Sequence, residues 1–250
     1  MPVQVLVVDD DDVSREVLAL LLHNAGYAVD TAESGDDALV HLQAAQTLPS
    51  VVLTDLQMPG ITGNTLAICL RDICGPATRL LAMSATQPDD GSTRKFDGFL
   101  VKPFTMEAFT AAITDKTTNP VAKLNGANAT VLDETVYSKL AESMRLHQLK
   151  QLYALSLGDA ERRLATMQQA ASRNDDVVYK REAHAIKGGC GMVGALELQT
   201  LATSMEERGL SDDHVASLQE FVVAWERLRG MLIALEIIDD RASGVSGEDA

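Results

Sequence analysis

The sequence is poor in aromatic residues and cysteines, and it has no long apolar run. Aromatic side chains make up 4% of the 250 residues, whereas hydrophobic residues make up 46%. This balance favours helix-rich packing of Leu, Ala, Val and Met over an all-β sandwich. Cys69, Cys74 and Cys190 form neither a CxxC pair nor an even set, so no disulfide framework is expected. Because a signal peptide and a spanning run are lacking, we expect a soluble, cytoplasmic protein without a membrane partner.

Positive charge is also scarce, and both halves share the deficit. The formal net charge is -15. Residues 1–118 carry 7 Lys and Arg against 16 Asp and Glu, and the remainder carries 14 against 20. Neither half has enough basic residues for a face that attracts nucleic acid, so we expect no nucleic-acid partner.

The pattern along the chain predicts two domains of different class. The first half alternates short apolar runs, typical of strands, with amphipathic helical stretches. The predicted strands are Val3–Val8, Ala28–Thr31, Val51–Thr54, Arg79–Met83 and Gly98–Val101, with helices at Val13–Asn24, Gly35–Ala45, Gly63–Ile73 and Thr105–Thr114. This alternation predicts an α/β doubly wound, five-stranded parallel sheet.

The second half has only helical periodicity. The predicted helices are Asp133–Met144, His147–Leu157, Asp159–Ala171, Asp175–Val193, Leu196–Glu207 and Asp213–Leu235. Such a series predicts an all-α helical bundle of the four-helix type. We therefore expect a domain at residues 1–116, a linker at 117–130, a bundle at 131–238 and a disordered tail at 239–250.

Polar residues follow the predicted strands at the edge where parallel sheets bind ligands. Asp9 and Asp10 begin a run of four aspartates after the first strand, and Asp55 follows the third. Ser84 ends the fourth strand and Lys102 follows the fifth. The aspartate run is also what a helix N-cap needs. A carboxylate cluster beside a lysine and a hydroxyl nevertheless indicates Mg²⁺ binding and phosphoryl transfer.

These residues lie in four motifs at family-like spacing: LVVDDD at 6–11, TDLQMPG at 54–60, AMSA at 82–85 and FLVKPF at 99–104. Through them, residues 1–116 resemble the flavodoxin-like receiver domain of two-component response regulators. The resemblance implies Asp55 as phosphoacceptor, with Mg²⁺ held by Asp9, Asp10, Asp55 and the carbonyl of Gln57. It also implies that Ser84 and Lys102 engage the phosphoryl group. Phe99 matches the family's aromatic switch position, although a buried strand residue explains it equally well.

One stretch departs from the family pattern. Only seventeen residues separate Ser84 from Lys102, and residues 87–92 (QPDDGS) are poor helix formers. We therefore expect the helix before the last strand to be short or absent. In the family that helix belongs to the surface that reports phosphorylation, so a conventional output is in doubt while a relay role is less affected.

The second half carries a candidate nucleophile, His184. A lone helical histidine is usually a surface or packing residue, but its neighbours form an unusual pattern. Residues at core-facing spacing are Tyr179, Ala183, Ile186, Cys190 and Val193, whereas His184, Lys187, Gly188 and Gly191 project from another face. The glycines either end the helix or clear space for a docking partner, and Lys187 is placed to neutralise a phosphoryl group.

The motif AHAIKGG at 183–189, followed by GMVGA at 191–195 and preceded by LDE at 132–134, resembles the histidine-containing phosphotransfer (HPt) domain. The resemblance implies His184 as the phosphorylated residue, supported by Lys187 and Gly188. Neither half has the ATP boxes of a histidine kinase or a P-loop. The chain is thus expected to exchange phosphoryl groups without an ATP-dependent kinase domain of its own.

Together these patterns predict a phosphorelay protein whose partners are a sensor histidine kinase and other receiver domains. The stretch that loses helical periodicity, residues 115–130, has sixteen residues and an extended reach of about 50 Å, which permits but does not require direct exchange between Asp55 and His184. One alternative is the C-terminal part of a hybrid sensor kinase, although Met1 and Pro2 directly before the first strand favour a natural start. Another is a phosphate sink or decoy. A remote one is an aspartyl phosphohydrolase using Asp9 and Asp11.

Overall fold

The structure is a computed structural model, and it describes residues 2–85, 88, 91–114, 131–211 and 213–238. The chain divides into two compact units, Met1–Asn128 and Ala129–Ala250. The linker predicted at 117–130 and the tail predicted at 239–250 lie outside the described residues, so both stay predictions.

The first unit is built on one parallel sheet. Its elements are β1 (Gln4–Val8), α1 (Asp12–Asn24), β2 (Ala28–Ala32), α2 (Gly35–Ala44), β3 (Val51–Asp55), α3 (Gly63–Cys74), β4 (Arg79–Ser84), β5 (Gly98–Val101) and α4 (Met106–Thr114). The strand order is β2-β1-β3-β4-β5, and every pairing is parallel. The predicted five-stranded α/β sheet is confirmed.

Burial explains why the central strands are apolar on both faces. All five residues of β3 are buried, and so are four of the five residues of β1. A strand covered by helices on both sides has no polar face, which is why these runs do not alternate. The carboxyl ends of β1, β3, β4 and β5 meet at one edge, where polar side chains replace the apolar ones.

The connection between β4 and β5 contains no helix in the residues described there, which form turns over 91–97. The described residues of this connection agree with the expectation that the helix before the last strand is short or absent. Phe96 packs against the core cluster that includes Leu66 and Leu70 of α3. The Asn64 amide donates to the Gly91 carbonyl (2.8 Å) and accepts from the Lys95 amide (3.2 Å), which fastens the segment to α3.

The second unit is all helical. Its described elements are α5 (Glu134–Ser143), α6 (Leu146–Ser172), α7 (Asp176–Met192), α8 (Leu196–Arg208) and α9 (His214–Ala234). The four longer helices α6 to α9 each pack on the next, and α9 returns to α6, while α5 packs on α6. This is the predicted helical bundle, and its short helix α5 matches the helix predicted at Asp133–Met144.

The prediction of separate helices at His147–Leu157 and Asp159–Ala171 is wrong, because α6 runs unbroken through Gly158. Gly158 is the one residue between the two predicted helices. In the structure the buried stripe of α6 continues across this point, from Tyr153 to Ala160 and Met167. The packing of that stripe outweighs the cost of one helical glycine, about 1 kcal/mol.

Candidate functional site

The four aspartates after β1 divide into two roles. Asp9 is fully buried, and its two carboxylate oxygens accept from the Asp11 amide (3.0 Å), the Ser14 hydroxyl (2.6 Å) and Lys102 Nζ (2.6 Å). Asp11 is the N-cap of α1, since its carboxylate accepts from the Ser14 amide at 2.7 Å. The N-cap interpretation of the run is confirmed for Asp11, whereas Mg²⁺ binding by Asp9 and Asp10 stays a prediction.

Asp55 ends β3 beside a buried lysine, Lys102. Lys102 Nζ lies 2.5 Å from Asp55 Oδ2, and Asp55 Oδ1 accepts from the Gln57 amide at 2.8 Å. Burial acts to lower the pKa of Lys102, but the charges of Asp55 and Asp9 outweigh it and hold that pKa above its ordinary value. The lysine is thus a fixed cation between two carboxylates.

Ser84 and Phe99 lie where the strand pattern predicts. Ser84 is buried at the end of β4, and its carbonyl accepts from the Lys102 amide at 2.8 Å, so the two residues are neighbours at the sheet edge. Phe99 is a buried residue of β5 that pairs with Ala82. The switch function of Phe99 stays a prediction.

The carboxylates at this edge form a donor set that suits Mg²⁺. Burial raises the pKa of Asp10, and the charges of Asp9 and Asp55 raise it further. One lysine leaves this cluster short of positive charge, and hard oxygen donors are the ligands Mg²⁺ prefers. In the described residues, no three acidic, His or Cys side chains are already arranged to hold a metal ion. The residues fit the ion by chemistry and charge.

His184 lies partly buried on α7 and is hydrogen-bonded to a side chain of α8. Its Nδ1 lies 2.7 Å from Glu206 Oε1, and the other carboxylate oxygen of Glu206 accepts from Lys187 Nζ at 2.5 Å. Burial acts to raise the pKa of Glu206, but hydrogen bonds and charge from His184 and Lys187 outweigh it and lower the pKa to about 2. One ionised carboxylate therefore serves both side chains.

The predicted faces of α7 are confirmed in part. The core stripe from Tyr179 to Val193 is buried, and the helix continues through the glycines to Met192. The prediction that Lys187 and Gly191 lie on an exposed face with His184 is wrong, because both residues are buried. A Cβ at Gly191 would lie 2.5 Å from Gln199 Nε2, whereas nothing lies within 4 Å of a Cβ at Gly188. Only Gly188 therefore leaves open space beside the imidazole.

Glu206 was missed by the sequence analysis. It lies 22 residues after His184, on a different helix, and belongs to no motif recognised there. Glu206 lies in an amphipathic helix next to the exposed Glu207, and this pattern does not single it out. Pairing across two helices depends on their register, which periodicity within one helix does not give.

The described helices include none that is long and apolar enough to cross a membrane. This finding agrees with the lack of a spanning run in the sequence.

Two family models match the chain. The response regulator receiver domain model matches residues 5–114, and the Hpt domain model matches residues 151–237. The sensor histidine kinase AruS of Pseudomonas aeruginosa is 27% identical over 215 residues, covering 83% of this chain and 21% of that protein. The transcriptional regulatory protein ResD of Bacillus subtilis is 31% identical over 105 residues, covering 40% and 42% respectively.

Among solved structures, the chemotaxis response regulator CheY4 of Vibrio cholerae is 30% identical, with 45% of this chain and 99% of that chain covered at a TM-score of 0.41. The chain spans about a fifth of the length of AruS and less than half of ResD.

Proposed function

The chain belongs to the two-component signalling proteins, with a response regulator receiver domain at residues 5–114 and an Hpt domain at 151–237, and we propose from this that it is an intermediate of a phosphorelay. The full domains extend over 1–116 and 131–238, joined by the linker. The observation that carries the proposal is the pair of reactive groups: a carboxylate beside a buried lysine in one unit and an open-sided imidazole in the other.

In the receiver domain, Asp55 accepts the phosphoryl group from a phosphohistidine of a histidine kinase. Lys102 and Ser84 contact the phosphoryl oxygens, since phosphoryl transfer is catalysed mainly by positioning and charge neutralisation. Asp9, Asp10, Asp55 and the Gln57 carbonyl would hold Mg²⁺, whose charge offsets that of the incoming group. In the Hpt domain, His184 exchanges the group with Asp55 or with another receiver, supported by Lys187 and Gly188.

The proposal is tested on the full chain with acetyl phosphate and with purified phospho-kinase candidates. Asp55→Ala is expected to abolish labelling of the receiver, whereas Asp72→Ala, an exposed aspartate of α3, leaves it intact. Acyl phosphates and phosphohistidines differ in their stability to acid and base, which separates the two products. Mg²⁺-dependent labelling of Asp55→Ala at another residue of the receiver would overturn the assignment.

The same transfer experiment with phospho-kinase candidates tests whether the phosphoryl group passes between Asp55 and His184 within one chain. Label that reaches His184 only when Asp55 is intact supports an internal relay. Label that reaches His184 in Asp55→Ala refutes an obligatory one. His147→Ala, which removes an exposed histidine of the same unit, is the matched control for His184→Ala.

A second candidate is that the chain serves as the receiver and Hpt part of a hybrid sensor kinase. The similarity to AruS favours it, since the 215 aligned residues are more than either unit contains. Efficient labelling by a kinase on a separate polypeptide supports the relay intermediate, whereas labelling only when a kinase domain is joined to this chain supports the second candidate.

A further inference from the structure

Ser14, in the first turn of α1, is a buried residue whose hydroxyl bonds to the carboxylate site. Its Oγ donates to Asp9 Oδ2 at 2.6 Å, and Lys102 Nζ lies 2.6 Å from the same oxygen. Ser14 and Asp9 both have a relative exposure of 0%. One buried carboxylate oxygen therefore has two donors, of which one is charged and the other is neutral.

The first turn of α1 also holds the backbone of Asp9. Arg15 Nη1 donates to the Asp9 carbonyl at 2.6 Å, and the Arg15 side chain pairs with Asp12. The other carboxylate oxygen, Asp9 Oδ1, accepts from the Asp11 amide at 3.0 Å. Because these bonds come from α1 and the turn before it, they hold Asp9 in place independently of Lys102.

The hydroxyl of Ser14 is not needed for the helix itself. The Ser14 amide donates to Asp11 Oδ1 at 2.7 Å, and this N-cap bond forms with any residue that has a backbone amide at position 14. Alanine is also a better helix former than serine. In the part of the chain that the structure describes, the hydroxyl bonds to Asp9 alone. Serine at this position is therefore explained by Asp9.

Lys102 also has Asp55 beside it, and phosphorylation of Asp55 changes this arrangement. Lys102 Nζ lies 2.5 Å from Asp55 Oδ2. During transfer an Asp55 oxygen forms a bond to phosphorus, the bond from phosphorus to the donor breaks, and the donor takes that electron pair. Lys102 keeps its proton and turns to the phosphoryl oxygens. Asp9 Oδ2 then loses its charged donor, and a buried charged acceptor without a donor is costly.

Resting on the proposed function of Asp55, we propose that Ser14 is a positioning residue that satisfies Asp9 when Lys102 moves to the phosphoryl group. In the unphosphorylated chain Ser14 shares Asp9 Oδ2 with the lysine. In the phosphorylated chain its hydroxyl is the remaining side-chain donor to that oxygen. Ser14 thereby lowers the cost of releasing Lys102, and it acts through Asp9 without contacting the phosphoryl group.

The first experiment measures how tightly the full chain binds a phosphoryl analogue. Beryllofluoride is titrated with saturating Mg²⁺ and followed by fluorine NMR, which separates bound from free fluoride. Ser14→Ala is expected to weaken binding at least about tenfold, as for the loss of a hydrogen bond to a charged group, and to slow acceptance from acetyl phosphate by a similar factor. Ser34→Ala, which removes the N-cap hydroxyl of α2, is the matched control and changes neither.

A Mg²⁺ titration of the same variants separates this role from an effect on metal binding. The loss in Ser14→Ala is expected to persist at saturating Mg²⁺, because it arises from the release of the lysine. If excess Mg²⁺ restores full binding of beryllofluoride, Ser14 acts on the metal ion, and the proposed role is overturned.

The second experiment does not depend on phosphorylation. Lys102→Met removes the lysine from Asp9 permanently, as phosphorylation is proposed to do for its lifetime. Urea unfolding of the full chain is followed by circular dichroism, with Trp225 fluorescence reporting the helical unit. Ser14→Ala is expected to raise the unfolding equilibrium constant of the receiver at least about tenfold more in Lys102→Met than in the unmodified chain. An equal effect in both backgrounds means that Ser14 only packs, which refutes the proposal.

The two proposals fail in different ways. If the unmodified chain neither accepts a phosphoryl group on Asp55 nor binds beryllofluoride, while Ser14 and Lys102 are coupled in unfolding as expected, the proposed function fails and the satisfaction of Asp9 by Ser14 stands. If Asp55 is phosphorylated and Ser14→Ala changes neither binding nor acceptance, the role of Ser14 is refuted and the proposed function stands.

Discussion

At the scale of single residues, Lys102 is the side chain on which the carboxylate site depends most. It is the shared partner of Asp9 and Asp55, and all three are buried. Removing one partner of a buried ion pair leaves uncompensated charge, which costs far more than the pair itself contributes.

We therefore expect Lys102→Met to destabilise the receiver domain by about 3–5 kcal/mol. The measurement is urea unfolding of the full chain by circular dichroism, with fluorescence of Trp225 reporting the helical unit separately, because it is the only tryptophan. Lys95→Met, at an exposed position, is the control. A variant as stable as the unmodified chain contradicts the burial of this cation.

Glu206 gives the helical unit an acid-sensitive contribution to stability. Its pKa is lowered to about 2, so this contribution is complete above the unfolded pKa near 4.3 and is lost as the pH falls towards 2. Because the side chain is 25% exposed, solvent screening reduces the contribution to about 1–2 kcal/mol.

We expect Glu206→Gln to flatten the decline in stability between about pH 4.5 and pH 2. Trp225 fluorescence during urea unfolding at several pH values measures it on the full chain. Glu207→Gln keeps the full decline. An equally steep decline in both variants means that other carboxylates control acid unfolding.

At the scale of elements, α7 continues through several glycines. Close packing requires glycine at only some of these positions. Gly191 admits the side chain of Gln199, whereas Gly188 faces open space. An added methyl group at Gly188 therefore tests docking separately from folding.

We expect Gly188→Ala to stabilise the Hpt domain by up to about 1 kcal/mol, because alanine is the better helix former. We also expect it to slow transfer with a receiver, since the new methyl group lies one turn from His184. Trp225 fluorescence measures the first effect and transfer kinetics the second. Unchanged transfer kinetics mean that no partner approaches this face closely.

The turn segment 91–97 is a further element whose attachment is specific. The Asn64 amide makes both of its contacts to backbone groups of this segment, and Arg71 Nη2 lies 2.6 Å from Asp97 Oδ2. These bonds attach the segment to α3 in place of the packing that a helix would provide there.

We expect Asn64→Ala to weaken this attachment by about 1–2 kcal/mol, because two hydrogen bonds to backbone groups are lost. Hydrogen exchange of residues 91–97 is then faster and proteolysis there increases. Thr65→Ala, one residue further on the exposed side of α3, leaves both unchanged. If the two variants behave alike, the segment is held mainly by Phe96.

At the scale of the whole molecule, the sequence predicted the sheet and most helices because their patterns are local. Apolar runs and helical periodicity gave all five strands to within about one residue. The prediction of two helices separated at Gly158 was wrong, because the continuity of α6 depends on tertiary packing. Asp55, Lys102 and Ser84 were placed together by topology, since parallel strands end at one edge. Glu206 could not be found in this way, because contacts between helices depend on their register.

The strand order also has a consequence for how the molecule is made. β1 lies inside the sheet between β2 and β3, so the first strand to be synthesised cannot complete its pairing until residue 55 has emerged. Helices α6 to α9 instead pack on their neighbours in sequence, and such local contacts form faster. The receiver domain is made first but folds by the slower route. Synthesis of the 120 or so residues that follow it in this sequence takes about 6–24 s, which gives the receiver domain that time to fold.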